Sequence, residues 1–308
     1  MNIDIYIGNC LETLQKMDDQ SVNTCITSPP YWGLRDYNGE EEQLGLEETP
    51  EQFTDNLVKV FREVKRVLKD DGTVWLNLGD SYSSGGRTTT TNQTLRGDKD
   101  YGVTRPKPSK GIKPKDLIGI PWRVALALQA DGWYLRQDII WHKPNPMPES
   151  VKDRCTKAHE YIFLLSKNVK YYFDYEAIKE DAVGNSPNNK KPHKHQGQPF
   201  SRTKENLVNI QAVEKRNKRS VWTVTTKPFK GAHFATFPMD LIEPCVLAGC
   251  PEGGTVLDPF GGSGTTAIVA NKHNRNAVLC ELNEEYVDIA KERIVNNLGM
   301  MSKIREIR

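Results

Sequence analysis

Hydrophobic and polar positions alternate between two periods along this chain. Ile3, Ile5 and Ile7 are apolar at every second position, which predicts a strand. Leu11, Leu14 and Met17 then recur three residues apart and predict a short helix. Val22-Asn23-Thr24-Cys25-Ile26-Thr27 reads as a second, buried strand. From Pro50 to Leu68, the residues Phe53, Leu57, Val60, Phe61, Val64 and Leu68 fall on one helical face. Thr49 suits the N-cap of that helix, Pro50 its first position, and Gln52 completes a capping box. Asp71-Gly72 ends it, and Thr73 to Leu78 reads as a strand. A helix over 116–130 and strands over 135–141 and 160–165 continue the alternation. Toward the C-terminus the pattern predicts a helix over 239–248, a strand over 255–257, a further helix, a strand over 277–282 and a helix over 284–296. Strands alternating with helices predict an α/β fold with a doubly wound, mostly parallel sheet.

Two segments break this rhythm, and charge makes them informative. The 308 residues carry 42 Lys+Arg against 40 Asp+Glu, a net charge of only +2. A polyanionic partner must therefore be held by local basic patches and not by the global field. Residues 83–115 hold eight Lys/Arg against two acids, and residues 190–219 hold nine against two. Both fit solvated loops, and both fit basic arms that meet nucleic acid phosphates. No run of 18 apolar residues predicts a membrane span, and the first twenty residues lack the apolar stretch of a signal peptide. A cytoplasmic location is the expectation. Six cysteines are scattered without CxxC spacing, so neither a zinc site nor a disulfide framework is expected. His193 and His195 lack a third nearby ligand, and no metal is expected.

Chemistry concentrates in two loops at predicted strand ends. The first is Asp258-Pro259-Phe260-Gly261-Gly262-Ser263-Gly264-Thr265-Thr266. Glycines let a ligand approach the backbone, and the helix that follows offers free N–H groups. The next strand ends in Glu281, whose carboxylate can accept bonds from ribose hydroxyls. These features suit a nucleoside cofactor. They do not separate a dinucleotide from S-adenosylmethionine, and the missing GK[ST] excludes a P-loop. The second loop is Thr27-Ser28-Pro29-Pro30-Tyr31-Trp32. Its prolines remove two backbone donors and leave carbonyl acceptors beside the Ser28 hydroxyl. Tyr31 and Trp32 supply flat apolar faces. Acceptors beside an aromatic ring suit an amino group on a planar base.

Together, Ser28-Pro29-Pro30-Tyr31 and Phe260-Gly261-Gly262-Ser263-Gly264 resemble the catalytic and cofactor motifs of DNA amino-methyltransferases that use S-adenosyl-L-methionine. The order, catalytic motif first and cofactor motif last, resembles the permuted beta class. The resemblance implies a circularly permuted, Rossmann-like methyltransferase fold with inserted basic recognition loops. It also implies a catalytic role for Ser28, Pro29, Pro30 and Tyr31, acting on the exocyclic amine of a base flipped out of double-stranded DNA. The implied cofactor contacts are Asp258, Phe260, Gly262, Gly264, Thr265 and Glu281. His233, Thr236, Phe237 and Pro238 resemble the segment that closes over the cofactor. Ala158 to Phe163 resembles a late strand of the catalytic half. Relatives that methylate adenine often carry Asp-Pro-Pro-Tyr, whereas Ser28 resembles the form commoner among N4-cytosine enzymes. N4 of cytosine is therefore the expected target, with N6 of adenine the alternative. Enzymes of this kind act alone or beside a cognate restriction endonuclease.

The expected organisation is a catalytic half over 1–169, a target-recognition insert over 170–225 and a cofactor half over 226–308. Expected DNA contacts are Trp32 beside the base, with Lys190, Lys191, Arg202, Lys204, Lys215, Arg216, Lys218 and Arg219 on phosphates and base edges. Trp222 is expected to mark the return to the core. Asp80 suits either the cleft or a helix cap.

Overall fold

The computed structural model describes residues 1–33, 43–83, 111–182, 214–226, 236–299 and 303–308. The elements are β1 (Asn2–Ile7), α1 (Cys10–Lys16), β2 (Val22–Thr27), α2 (Pro50–Val67), β3 (Leu68–Leu78), α3 (Ile120–Ala130), β4 (Tyr134–His142) and β5 (His159–Ser166). Then come β6 (Glu180–Asp181), β7 (Lys215–Arg216), β8 (Val221–Thr223), α4 (Met239–Gly249), β9 (Thr255–Asp258), α5 (Thr265–Lys272), β10 (Asn276–Glu281), α6 (Glu284–Leu298) and β11 (Lys303–Ile307).

Nine strands form one sheet in the order β11-β1-β10-β9-β2-β3-β5-β4-β8. Pairing is parallel except where β5 runs antiparallel to β3 and to β4. The expected mostly parallel sheet is therefore present. Side chains along the central strands alternate between two cores, as the period of two requires. Cys25, Val74, Leu76, Leu165, Leu257 and Val278 face one core with residues of α1, α2 and α3. Ile26, Trp75, Leu164, Val256 and Leu279 face the other with residues of α4, α5 and α6. Both faces are covered, which explains why β2 is buried along its whole length.

The helix boundaries follow from local chemistry. The Thr49 hydroxyl accepts the Gln52 N–H at 3.1 Å, and the Gln52 side chain accepts the Thr49 N–H at 3.2 Å, so the predicted capping box forms. The helix expected from 116 begins at Ile120 instead. Asp80 causes the shift: its carboxylate accepts the Gly119 N–H at 2.9 Å and the Ile120 N–H at 3.1 Å. Asp80 is thus a helix cap, and the cleft alternative falls. Three short elements escaped the pattern: the β6–β7 ribbon, β8 and the edge strand β11. Trp222, on β8, is buried as expected and packs near Trp75. No helix among the described residues is long and apolar enough to cross a membrane.

The sheet order positions the site. The strands β9 and β2 are neighbours, and one leads into the cofactor motif at the chain's end while the other leads into the catalytic motif near its start. The helix after β9 packs on one face of the sheet, and the helices flanking β2 pack on the other. Chain paths that diverge in this way leave a crevice at the carboxyl ends of the two strands.

Candidate active site

A cavity of about 840 Å³ fills that crevice. One wall carries Ser28, Pro29, Pro30 and Tyr31, which leave the end of β2. Phe260, Gly262 and Glu281, at the ends of β9 and β10, form the facing wall with Asn283 and Tyr286. The junction of β1 and α1 contributes Gly8, Asn9, Cys10 and Leu11. The two predicted motifs therefore line one space.

Hydrogen bonds and a close backbone approach fix the Tyr31 ring. Its hydroxyl donates to Glu160 Oε2 at 2.7 Å, with the side-chain Oδ1 of Asn77 3.2 Å away. The Ser28 hydroxyl lies 3.4 Å from the Tyr31 oxygen, at the long end of hydrogen-bond range. Glu160 Oε1 is paired with the Lys143 ammonium, and both side chains are mostly shielded from solvent. Lys143 also sits 4.2 Å from the centroid of the Trp141 ring. Behind the tyrosine, a Cβ at Gly79 would come within 2.6 Å of the ring. Only glycine lets the ring lie there. Lys143 and Glu160 are site residues that the sequence reading missed. Each lies more than 110 positions from Ser28, and only the antiparallel pairing of β5 with β3 and β4 brings them in.

The facing wall combines a carboxylate, an open glycine backbone and apolar surface. Glu281 Oε2 accepts the Gly262 N–H at 2.7 Å, and Oε1 accepts the Asn283 N–H at 3.0 Å. Each carboxylate oxygen has a second lone pair for a further donor. Burial pushes this carboxyl above its usual range. Gly262 is left-handed at φ +48°, and the space where its Cβ would stand is open apart from the Phe260 carbonyl oxygen at 3.8 Å. A ligand can approach the backbone there. Phe260, Pro259 and Leu282 supply apolar surface. An acceptor pair beside an apolar cleft fits a nucleoside with its ribose diol. Two thiols, of Cys10 and Cys280, also line the cavity. Burial pushes Cys10 up to about 12 and Cys280 well above its usual value, so neither is a thiolate nucleophile at neutral pH.

Several expected residues take other roles. Trp32 is 2% exposed within a hydrophobic core, and its Nε1–H donates to the Glu47 carbonyl at 2.8 Å. It supports the loop from behind and is no part of the cavity wall. Asp258 is buried beneath the site. Its Oδ1 accepts the Thr27 hydroxyl at 2.6 Å and the Phe260 N–H at 3.1 Å, and its Oδ2 accepts the Thr266 hydroxyl at 2.6 Å. The carboxylate therefore joins the two motif loops and does not face the cavity. Thr265 is buried, and its hydroxyl accepts from Arg293 at 3.2 Å. Gly264 caps α5 at φ +75°, where a Cβ would stand 3.1 Å from that of Ala290. Both shape the turn from behind the wall. Thr236 lines the cavity, Phe237 packs against the core that holds α4, and Pro238 caps α4.

The expected DNA contacts are only partly placed. Lys190, Lys191, Arg202 and Lys204 lie outside the described residues, as do the expected cofactor contact His233 and the pair His193 and His195. Lys215 and Arg216 form β7. Arg216 and Arg219 both donate to Glu180 Oε1, at 2.9 and 2.5 Å, and Lys218 lies 5.1 Å from the centroid of the Trp222 ring. No cluster of metal-ligating side chains occurs among the described residues.

Comparison with known proteins agrees with this geometry. A family model described as DNA methylase matches residues 22–292. The chain is 50% identical over 294 residues to the type II methyltransferase M.SmaI of Serratia marcescens, covering 94% of this chain and 90% of that protein. It is also 50% identical to the type II methyltransferase M.Cfr9I of Citrobacter freundii, covering 94% and 87%. Among solved structures, the fold matches the cytosine-N4-specific PvuII DNA methyltransferase with a TM-score of 0.64 at 20% identity, over 98% of this chain and 96% of that one. A Thermus thermophilus protein solved with S-adenosyl-L-methionine matches with a TM-score of 0.60 at 23% identity, over 99% of both chains.

Proposed function

Since the chain belongs to the DNA methylase family, and is a type II DNA methyltransferase of the amino class that uses S-adenosyl-L-methionine, we propose that its target is N4 of a cytosine flipped out of the duplex. The observation that carries this reading is the cavity that Ser28 and Tyr31 share with Gly262 and Glu281. Ser28, in place of an aspartate, supports cytosine.

The residues divide the work. Glu281 accepts hydrogen bonds from the ribose hydroxyls, Gly262 lets the nucleoside reach the backbone, and Phe260 packs against it. When bound, S-adenosylmethionine supplies a methyl group on a sulfonium that leaves as a neutral thioether. The target amine is a poor nucleophile because its lone pair is delocalised into the ring, and in a paired duplex it is out of reach. Tyr31 stacks on the extruded base. Ser28 Oγ and the Pro29 carbonyl accept the two amine hydrogens, which rehybridises the nitrogen and turns its lone pair across the cavity. Acceptors that strengthen as the amine becomes positive stabilise the transition state, and positioning supplies much of the remaining acceleration. Glu160, held by Lys143, fixes the Tyr31 ring and acts as a positioning residue.

DNA is held by the basic segments. The target-recognition insert is proposed over 170–225, anchored at its base by the β6–β7 ribbon. Lys190, Lys191, Arg202 and Lys204 within it, with the described Lys215 and Lys218, are proposed phosphate and base contacts. The halves over 1–169 and 226–308 are proposed as the catalytic and cofactor parts of one domain. A cytoplasmic site of action for a bacterial or phage-encoded enzyme, acting alone or beside a cognate endonuclease, completes the proposal.

Single-molecule sequencing of DNA from a methylation-free host expressing the protein tests it. An N4-methylcytosine signal in one sequence context is expected. An N6-methyladenine signal would overturn the base assignment.

A further inference from the structure

The strand connection over 143–158 carries a side chain that the chemistry above does not use. Met147 is 85% exposed, the most exposed large apolar side chain among the described residues. It lies at the wall of the cavity that Ser28 and Tyr31 line. Exposing an unbranched apolar side chain to water is unfavourable in the free protein. The arrangement makes sense if the side chain is covered when DNA binds.

The backbone around Met147 is held on both sides. Pro144, Pro146 and Pro148 restrict its φ angles. On one flank, Asn145 Nδ2 donates to the Thr226 carbonyl at 3.2 Å, and the Thr226 N–H donates to Asn145 Oδ1 at 3.1 Å. On the other flank, Glu149 is paired with Arg154, whose guanidinium lies 3.8 Å from the centroid of the Tyr82 ring. At the base, the Lys143 N–H donates to the Ala158 carbonyl at 2.8 Å. Such a clip spends little further conformational entropy when its tip is used.

We propose that Met147 is the wedge that enters the base stack as the target base leaves it. Extruding a base opens a gap between its neighbours and costs stacking and pairing. An apolar side chain inserted at the step offsets that cost, and methionine is among the residues that do so. A polarisable thioether also adapts to whichever bases flank the gap. Met147 holds the vacated position, while Ser28 and Tyr31 hold the base. This role rests on the reading of the site as a base-flipping DNA methyltransferase.

The test is single-turnover methylation by Met147→Ala and Met147→Leu, on duplexes carrying the context that sequencing returns. One duplex pairs the target base normally, and a second has an abasic position opposite it, which lowers the cost of extrusion. The wedge role predicts a loss of about tenfold or more for Met147→Ala on the paired duplex. The loss should shrink to within about threefold on the abasic duplex, and Met147→Leu should keep most of the rate on both. S-adenosylmethionine affinity and melting temperature should match wild type. Unchanged rates for Met147→Ala on the paired duplex would overturn the proposal, as would equal losses on both duplexes. If wild type methylates neither duplex, the underlying reading fails and the wedge with it. If the wild type is active and only the abasic rescue is missing, the reading stands and the wedge falls.

Discussion

The Thr27 hydroxyl donates to the Asp258 carboxylate across 2.6 Å, although the two residues are 231 positions apart. Thr27 is the last residue of β2, immediately before Ser28, and Asp258 is the last residue of β9, immediately before the cofactor loop. This buried bond ties the two halves of the site together beyond the end of the β2–β9 pairing. Thr27→Val keeps the shape and removes the donor. Urea unfolding should show a loss of about 1–3 kcal/mol, since the carboxylate loses a buried partner. Turnover and S-adenosylmethionine affinity should fall together in Thr27→Val, and Thr27→Ser should restore both.

Asp258 also gives stability a pH dependence of defined sign. Burial is the largest influence on its carboxyl and pushes it up to about 6, against bonds from Thr266, Thr27 and the Phe260 N–H that pull it down. A folded value above the unfolded one means that the native state holds this proton more tightly. The contribution is full below about pH 4, and it is lost as pH rises through about 6. Asp258→Asn lacks this titration. Denaturant unfolding at pH 4, 5, 6 and 7 should show the variant gaining on wild type by roughly 2–3 kcal/mol as pH rises over that window. A difference that stays flat from pH 4 to pH 7 would contradict the assignment.

Trp32 separates a core role from a DNA-contact role. Fully enclosed and bonded to the Glu47 carbonyl, it should cost about 3–5 kcal/mol of stability on truncation to alanine. A DNA contact would instead weaken DNA binding at unchanged stability. A melting curve and a DNA titration on Trp32→Ala decide between them.

The anchoring of Tyr31 makes two variants informative. Gly79→Ala drives a Cβ into the tyrosine ring, and Glu160→Gln weakens the bond to its hydroxyl and the pairing with Lys143. Both should lower kcat by about tenfold or more while the KM for S-adenosylmethionine changes little, because a misplaced ring costs orientation. An effect on that KM alone would place the network on the cofactor side.

The α/β alternation, the capped helix from Pro50 and the two motif loops were all legible in the chain, because each rests on local periodicity or on local turn chemistry. Ser28 and Tyr31 from one motif loop, Phe260 and Gly262 from the other, and Glu281 from the next strand end all line one cavity. The sequence could not show which motif residues face inward. Asp258 and Thr265 look like ligand contacts on a line of text, yet both are buried, where the Thr27 and Thr266 hydroxyls engage the first and Arg293 the second. Trp32 follows Tyr31 directly but points into the core. Lys143 and Glu160 carried no local signal, since long-range antiparallel pairing alone brings them to Tyr31. The short strands β6, β7 and β8 are too brief to show a period.

The division of the cavity is the central claim, and one titration tests it most directly. S-adenosylmethionine is titrated calorimetrically into Ser28→Ala, with methyl transfer to DNA followed in the same samples. The account predicts wild-type cofactor affinity with transfer reduced by a hundredfold or so, the scale of a lost transition-state acceptor. Cofactor affinity falling as far as turnover would contradict it, because Ser28 would then belong to the cofactor's half of the site.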